Sequence, residues 1–357
     1  MNRVVISRQP VFAPPALRLF AERLSMRIDA RTSAVCLGLG LLGLVLALAA
    51  LRLGTMPVSF AQVLHTLSGE GQPAERLVLL EWRLPRVLGA ALAGAGLGLA
   101  GALFQTLLRN PLGSPDILGF DAGAFLGLAL AMLAGGSTVA LTSATLSGGL
   151  VAGTLILLLS GGLHADRLRL ILTGIAIGAL FSALSEWLVF TAPLDTALTL
   201  ANWKQGSLAG IDWVRLGTAT TLFSLLLPLG LGCGRMMRAL ELGDDKALSL
   251  GQPAGNARLR LALTGLGLTA TATLLAGPIG FVALISPQVA RRMAGTAGLP
   301  LLTSMLVGVV FLLGADLAAR TLFAPRSLPV GAVTACLGGF YFAVLLRSRF
   351  VRPGAPR

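Results

Sequence analysis

The sequence predicts an all-α polytopic membrane protein with about ten transmembrane segments. Hydrophobic residues make up 55% of the 357 residues and charged residues only 12%, which is about half the charged share of a soluble domain. Residues 122–165 contain no Asp, Glu, Lys or Arg, and this run is too long for one crossing of about 20 residues. The Gly-Gly-Ser at 135–137 is the natural point at which to divide it into two helices.

Apolar runs and their breaks place the individual helices. The eighth segment is too short to span a bilayer alone, so we expect a half-helix or re-entrant piece buried in protein. Residues 1–33 are predicted to form a cytoplasmic N-terminal tail and residues 347–357 a cytoplasmic C-terminal tail, flanking a transmembrane domain over 34–346. The predicted segments are 34–52, 87–108, 118–134, 139–160, 169–190, 216–234, 258–277, 281–291, 299–319 and 329–346.

The distribution of positive charge sets the expected orientation. With both termini inside, the predicted inside stretches hold 20 of the 28 Lys and Arg residues, as expected for cytoplasmic loops. The formal net charge of +13 is therefore explained by orientation in the membrane, and no nucleic-acid partner is expected. The three cysteines and two histidines show no metal-ligand spacing, so no metal site is predicted.

Two breaks in the helical pattern resemble each other. The stretches "RNPLGSPDILG" after the second segment and "GPIGFVALISP" after the seventh both mix Pro and Gly at membrane depth, where loose backbone is tolerated only against protein or water. Matching breaks in halves of opposite orientation predict an inverted repeat. In the second segment, Gly94 and Gly98 lie one turn apart, so this helix is expected inside the bundle.

Intramembrane charges are candidates for function. Glu186 lies near the outer end of the fifth segment and shares a helical face with Ser182 and Ser185. A polar passage or contact with interfacial water is favoured over a proton relay, because no basic partner lies within two turns in sequence. Asp316 and Arg320 are spaced for a local ion pair, for which we expect a structural role.

A pair of arginines precedes the second segment on the predicted outer side. Arg83 and Arg86 in "EWRLPRVLGA" are three residues apart, with Pro85 stiffening the backbone between them. Two fixed guanidinium groups at a surface suit carboxylates on a partner protein. Ordinary interfacial anchoring next to Trp82 is the alternative, and composition leaves both open.

The stretch "LELGDDKALSLG" at 240–251 is a small charged island between apolar segments, within a predicted cytoplasmic coupling loop over 235–257. Three of the chain's 15 acidic residues fall here within five positions. Gly243 suits a helix C-cap and Asp244 an N-cap, which predicts two short helices joined by a tight turn. Docking on another protein and folding back on the membrane domain are both open, because so short an element cannot bury all of its leucines, Leu240, Leu242, Leu248 and Leu250.

Several motifs occur in order along almost all of the chain after residue 33. They are "RLPRVLGAALAGAGLGLAGALFQTLLRNPLGSPDILGFDAGA", "LELGDDKALSLG", "GPIGFVALISPQVARRMAG" and "LPVGAVTACLGGFYFAVLL". On these motifs the chain resembles the iron-siderophore and cobalamin permease family of binding-protein-dependent ABC importers. The resemblance implies a permease subunit in the bacterial inner membrane that imports a ferric siderophore, such as ferric enterobactin or a similar catecholate.

The resemblance also implies partners. These are a cytoplasmic ABC ATPase dimer, a second permease subunit that is different or identical, and a periplasmic siderophore-binding protein. The sequence contains no Gly-x-x-x-x-Gly-Lys-Ser/Thr loop. We therefore expect that this chain is not an enzyme, that it binds no cofactor, and that ATP and Mg bind to the partner ATPase.

The resemblance assigns roles to four groups of residues. The ATPase-coupling group is Leu240, Glu241, Leu242, Gly243, Asp244, Asp245, Leu248, Leu250 and Gly251. The binding-protein docking group is Arg83, Arg86 and Arg320. Gate and pathway residues are Gly162, His164, Asp166, Arg167, Ser182, Ser185 and Glu186, and the backbone of the proline-glycine motif is Asn110, Pro111, Gly113, Pro115 and Gly119. The sequence departs from the family where Gln288 replaces a usual His and at Glu186, which is not a residue typical of the family, so that the role of Glu186 stays open.

Two alternatives accompany this prediction. The same fold is also compatible with import of cobalamin, haem or another siderophore. A member of a different class, a proton-coupled secondary transporter that works alone, would use Glu186 as its relay.

Overall fold

The protein is an array of helices of very different lengths. The structure, a computed structural model, describes residues 5–6, 16–21, 24–54, 56, 58–162, 167–324 and 326–350. A π-helical stretch, Leu77–Arg83, leads into α4, and a 3₁₀ turn, Pro115–Leu118, precedes α5. The helices are α1 (Ala30–Arg52), α2 (Phe60–Leu67), α3 (Pro73–Arg76), α4 (Leu84–Leu108), α5 (Phe120–Leu133), α6 (Thr138–Leu159), α7 (Arg167–Thr191), α8 (Leu194–Lys204), α9 (Trp213–Gly232), α10 (Gly234–Glu241), α11 (Asp244–Ser249), α12 (Ala254–Ala276), α13 (Val282–Ala294), α14 (Leu301–Thr321) and α15 (Val330–Phe350).

Three short strands precede α1. They are β1 (Val5–Ile6), β2 (Ala16–Ala21) and β3 (Leu24–Asp29), and they form an antiparallel sheet in the order β1-β2-β3. Ala16 lies opposite Asp29 in the β2–β3 pair. These strands precede the helical part of the chain, and the described elements from Ala30 onward are all helical, as the predicted all-α class requires.

Each of the ten predicted segments has a helical counterpart. Seven described helices are long and apolar enough to cross a membrane, and α5 and α15 are shorter apolar helices. The predicted half-helix is α13, which has only 13 residues and packs against α4 and α14. The chain is thus a multi-pass membrane protein, whereas ten crossings, cytoplasmic termini and the inverted repeat stay predictions.

Helix α4 is the central element of the bundle. Of the most apolar part of Pro73–Leu108, 83% is buried, which confirms that the glycine-rich helix lies inside. It packs against α9, α12, α13 and α14. A Cβ added to Gly94 would meet the carbonyl of Gly308, and one added to Gly101 would meet that of Ala283. Because glycine has no side chain, the backbones can approach each other closely at these positions, as is usual for helix packing in membranes.

We expect Gly101→Ala to lower the thermal midpoint of the detergent-purified chain, because the new methyl group would overlap the Ala283 carbonyl oxygen. Overpacking of this kind costs about 1–3 kcal/mol. The matched control is Gly40→Ala in α1, where an added Cβ meets nothing within 4 Å. The control is expected to be neutral or slightly stabilising. Equal midpoints for the two variants would contradict the close-packing account.

The two ends of α4 belong to two different charged networks. At its C-terminal end, Arg109 pairs with Asp244 in the loop after α9. At its N-terminal end, Arg86 pairs with Asp316 in α14. Stretches predicted to lie inside therefore meet at one end of the bundle, and stretches predicted to lie outside meet at the other end.

Candidate functional site

The charged loop after α9 folds into two short helices, α10 and α11, that meet at Gly243. We call residues 234–251 the knob. Gly243 has a φ of 106°, which L side chains rarely adopt, although space for a Cβ is free. The predicted pair of short helices is confirmed with one correction: Gly243 is the N-cap of α11, and Asp244 is its first residue rather than its cap.

Asp244 fastens the knob to the membrane helices. Nη2 of Arg109 lies 2.6 Å from one carboxylate oxygen of Asp244, and Nη2 of Arg258 lies 2.6 Å from the other. Arg109 also donates to the carbonyl of Leu240 at 2.8 Å. Because Arg109 ends α4 and Arg258 lies in the first turns of α12, the knob is linked to the two most buried helices of the bundle.

The knob presents an apolar surface. Leu242, Leu248 and Leu250, which we call the leucine face, are 57%, 64% and 60% exposed. Leu240 is only 2% exposed and belongs to the main core, so its predicted place on a docking surface is corrected. Glu241 and Asp245, on the same two short helices, are exposed as well.

A cavity of about 430 Å³ lies between the 3₁₀ turn, α5 and α7. We call it the polar cavity. Ser182 is among its lining residues, and its predicted place in the pathway stays a prediction. Ser185 is not among them, because it is fully buried and its hydroxyl donates to the carbonyl of Phe181 one turn earlier. In this arrangement the Ser185 hydroxyl is not available to a passing ligand, and its pathway role stays a prediction. The polar lining residues are Asp116, Asp121, Ser182 and Lys204.

Sequence reasoning missed the two carboxylates of this cavity. Asp121 accepts a hydrogen bond from the hydroxyl of Thr273 at 2.9 Å, and Asp116 accepts one from the backbone amide of Phe281. Oδ1 of Asp116 is buried and has no partner among the described residues. Both acids were visible in "SPDILGFD", but only the fold shows that they share one cavity.

Glu186 in α7 forms an ion pair with a lysine from a different helix. Nζ of Lys204 in α8 lies 3.2 Å from Oε1 of Glu186, and the two side chains are 52% and 68% exposed. Lys204 is 18 residues from Glu186 in sequence, so a search for partners within two helical turns does not find it. An exposed pair of this kind contributes at most about 1 kcal/mol.

The predicted gate is only partly described. Gly162 has a φ of 62° and open space around its Cα. His164 and Asp166 lie outside the described residues, and Arg167 begins α7 with a side chain that is likewise outside them. The gate therefore stays a prediction.

The proline-glycine motif after α4 is a compact turn tied to α13. Oδ1 of Asn110 accepts from the amide of Leu112 at 2.9 Å, and the amide of Gly113 donates to the carbonyl of Asn110 at 2.9 Å. The side-chain amide of Gln288 donates to the carbonyl of Pro111 at 2.8 Å. The departure at Gln288 thus joins the two stretches that break the helical pattern.

The end of the same motif reaches α7. Pro115 begins the 3₁₀ turn, and Gly119 ends it with a φ of 75°. A Cβ at Gly119 would lie 2.6 Å from Cα of Gly178, so the turn and α7 touch backbone to backbone. This contact forms one wall of the polar cavity.

Arg83 is not on a docking surface, which corrects the sequence expectation. It is 7% exposed, and its guanidinium donates to the carbonyls of Leu51 at 2.7 Å, Arg52 at 3.0 Å and Met56. Helix C-termini leave carbonyls without partners, and Arg83 satisfies those of α1. Its role is to hold α1 against the start of α4.

Arg86 and Arg320 form a buried ion triad with Asp316. The Asp316 side chain is fully buried, and those of Arg86 and Arg320 are only 15% and 9% exposed. Arg86 lies 2.8 Å from Oδ1 of Asp316 and Arg320 lies 3.1 Å from Oδ2. The expected local pair of Asp316 with Arg320 is confirmed. Asp316 offsets only one of the two positive charges, and the expected docking role of Arg86 and Arg320 stays a prediction.

The chain is similar to known transport proteins along nearly its whole length. Residues 41–348 match the FecCD transport family. The ferric enterobactin transport system permease protein FepG of Escherichia coli K12 is 43% identical over 297 residues, covering 83% of this chain and 90% of that protein. The Fe(3+) dicitrate transport system permease protein FecD of the same organism is 37% identical, covering 84% and 94%.

A further relative and a solved structure agree with these matches. The hemin transport system permease protein HmuU of Yersinia pestis is 36% identical, covering 87% of this chain and 94% of that protein. A solved metal-chelate type ABC transporter in an inward-facing conformation superimposes with a TM-score of 0.81 at 31% identity, covering 88% of this chain and 99% of that one.

Buried central helices, broken segments around a polar cavity and a short-helix knob define a multi-pass membrane permease subunit. The chain belongs to the FecCD transport family, which confirms the resemblance carried by its motifs.

Proposed function

We propose that this chain is the permease subunit of an ABC importer that carries a ferric siderophore across the bacterial inner membrane. Its partners are a cytoplasmic ATPase dimer, a second permease subunit and a periplasmic siderophore-binding protein. ATP and Mg bind to the ATPase. The coupling role rests on one observation, the exposed leucine face on a knob that is itself anchored to the central helices.

The leucine face fits the ATPase better than it fits the chain itself. Three leucines more than half exposed lie on a loop that also carries the exposed acids Glu241 and Asp245. Burial of a leucine side chain contributes about 1.5–3 kcal/mol, so covering this face is a large part of a protein–protein interface. A fold-back on the membrane domain, the sequence-based alternative, is disfavoured because these leucines remain uncovered.

The salt bridges of Asp244 suggest how force would pass inward. A shift of the knob would move Arg109 and Arg258 and therefore the ends of α4 and α12. Helix α12 contributes Thr273 to the carboxylate Asp121 of the polar cavity. Nucleotide on the ATPase would thus bias the bundle between two arrangements, to the extent that its contacts with the knob differ between them.

A ferric catecholate such as ferric enterobactin is the cargo that similarity to FepG supports. Cobalamin, haem and other siderophores are the alternatives. Growth of a deletion strain complemented with this gene, on single purified iron sources, tests the cargo. Growth on ferric enterobactin is expected, and growth on haem or ferric hydroxamates alone would refute this cargo.

A proton-coupled secondary transporter is the competing function, and Glu186 tests it. We expect Glu186→Gln to leave uptake of iron-55-labelled siderophore within two-fold of wild type, because Glu186 forms an exposed pair with Lys204. Uptake is measured in spheroplasts with an intact proton gradient and with ATP maintained by glycolysis. Lys204→Met is the matched control, since it breaks the same pair from the other side. Loss of uptake in Glu186→Gln alone would favour the relay.

A further inference from the structure

A groove of about 1030 Å³ lies at the knob end of the bundle. We call it the arginine groove. Its walls are the first turns of α1, the junction of α9 with α10, and the stretch 296–303 that leads into α14. Two candidate membrane spans begin here, and the apolar part of a third ends here. The groove therefore lies at the depth of the lipid headgroups of one leaflet.

Two arginines give the groove its charge. Arg235 and Arg238 line it three residues apart on α10, and both are exposed. Within the part of the chain that the structure describes, neither is within salt-bridge distance of a carboxylate. Arg235 and Arg238 therefore bring two positive charges, one helical turn apart, into the wall of the groove.

The rest of the groove is apolar. Leu231 and Leu302 are 37% and 47% exposed in its walls. Further from the knob, α9 continues with Leu225 and Leu229, which are 62% and 52% exposed. A ligand that fits must therefore carry an anionic head next to hydrocarbon.

We propose that the arginine groove binds an anionic phospholipid of the surrounding bilayer, with its phosphate between Arg235 and Arg238 and an acyl chain along the leucines of α9. Basic pockets between transmembrane helices suit such headgroups. The chain's own first 29 residues are a poorer occupant, because they carry five arginines against two acids and would repel the pair. The proposal goes beyond the transport function and does not depend on the cargo.

The test is native mass spectrometry of the full-length chain extracted from its own membranes in mild detergent, followed by titration with cardiolipin or phosphatidylcholine. Retention of phosphatidylglycerol or cardiolipin, but not of phosphatidylcholine, is expected. Arg235→Gln with Arg238→Gln should weaken cardiolipin binding about twenty-five-fold, at about five-fold for each arginine. The matched control is Arg215→Gln with Arg326→Gln, which removes the same charge at the opposite end of the bundle.

A second variant tests the shape of the groove while keeping its charge. Gly232 lines the groove, and a Cβ added to it meets nothing within 4 Å. Gly232→Phe should therefore fill the groove without disturbing the fold and should lower cardiolipin retention at least five-fold. Equal losses in the groove and control double variants, or unchanged retention in Gly232→Phe, would overturn the site. Cross-linking of a photoreactive residue at 302 to protein rather than lipid would overturn it as well.

Discussion

Replacing Leu248 and Leu250 with aspartate is expected to abolish siderophore uptake while the permease remains folded. Both side chains are at least 60% exposed, so the substitutions cost the isolated chain little. In the assembled transporter the same positions would be buried against the ATPase. Loss of two leucines there removes about 3–6 kcal/mol, a weakening of ATPase binding by about two to four orders of magnitude. Co-purification of the ATPase and uptake of iron-55-labelled siderophore measure both effects.

Exposed leucines elsewhere supply the control for this experiment. Leu194→Asp with Leu198→Asp changes two similarly exposed leucines on α8, far from the knob in sequence. This variant should keep ATPase binding. A Leu248→Asp, Leu250→Asp double variant that co-purifies with ATPase in wild-type yield would remove the coupling role of the leucine face.

Asp316→Ala is expected to cause the largest loss of stability among single substitutions in the bundle. It would leave two nearly buried guanidinium groups, Arg86 and Arg320, without their shared carboxylate. Removing one partner of a buried ion pair costs about 3–5 kcal/mol, because the remaining charge is desolvated without compensation. The thermal midpoint of the purified chain in detergent is the measurement.

Two further variants show whether a lower thermal midpoint comes from loss of the buried ion triad or from loss of any carboxylate. Asp195→Ala removes an exposed carboxylate from α8 and should leave the midpoint within a degree or two. Asp316→Leu combined with Arg86→Leu and Arg320→Leu should recover part of the lost stability, since apolar replacements of buried ion pairs are often tolerated. An unchanged midpoint in Asp316→Ala would contradict the buried triad.

The sequence was sufficient to place the helices and the knob. Long apolar runs specify membrane helices almost without tertiary information, which is why the predicted segments and the short α13 match the structure. The knob was predictable because Gly243 and the acidic residues obey local rules for ending and starting helices. Local rules also gave the Asp316–Arg320 pair, whose members are four residues apart.

Contacts between distant parts of the chain could not be foreseen. Arg83 was interpreted as a surface residue because nothing in its neighbourhood shows that it meets the carbonyl end of α1, about 30 residues earlier. The partners of Glu186 and Asp121 lie on other helices, at Lys204 and Thr273. A single sequence records which residues are charged, but only the packing of helices decides which charges meet.

Labelling of a single cysteine at position 248 tests the central claim most directly. The native cysteines Cys36, Cys233 and Cys336 are first replaced with serine or alanine. A membrane-impermeant maleimide is then applied to intact spheroplasts and to inside-out vesicles, with and without the ATPase. The account predicts labelling only in inside-out vesicles stripped of ATPase, and protection when the ATPase is restored. Labelling in intact spheroplasts, or labelling that the ATPase does not reduce, would contradict it.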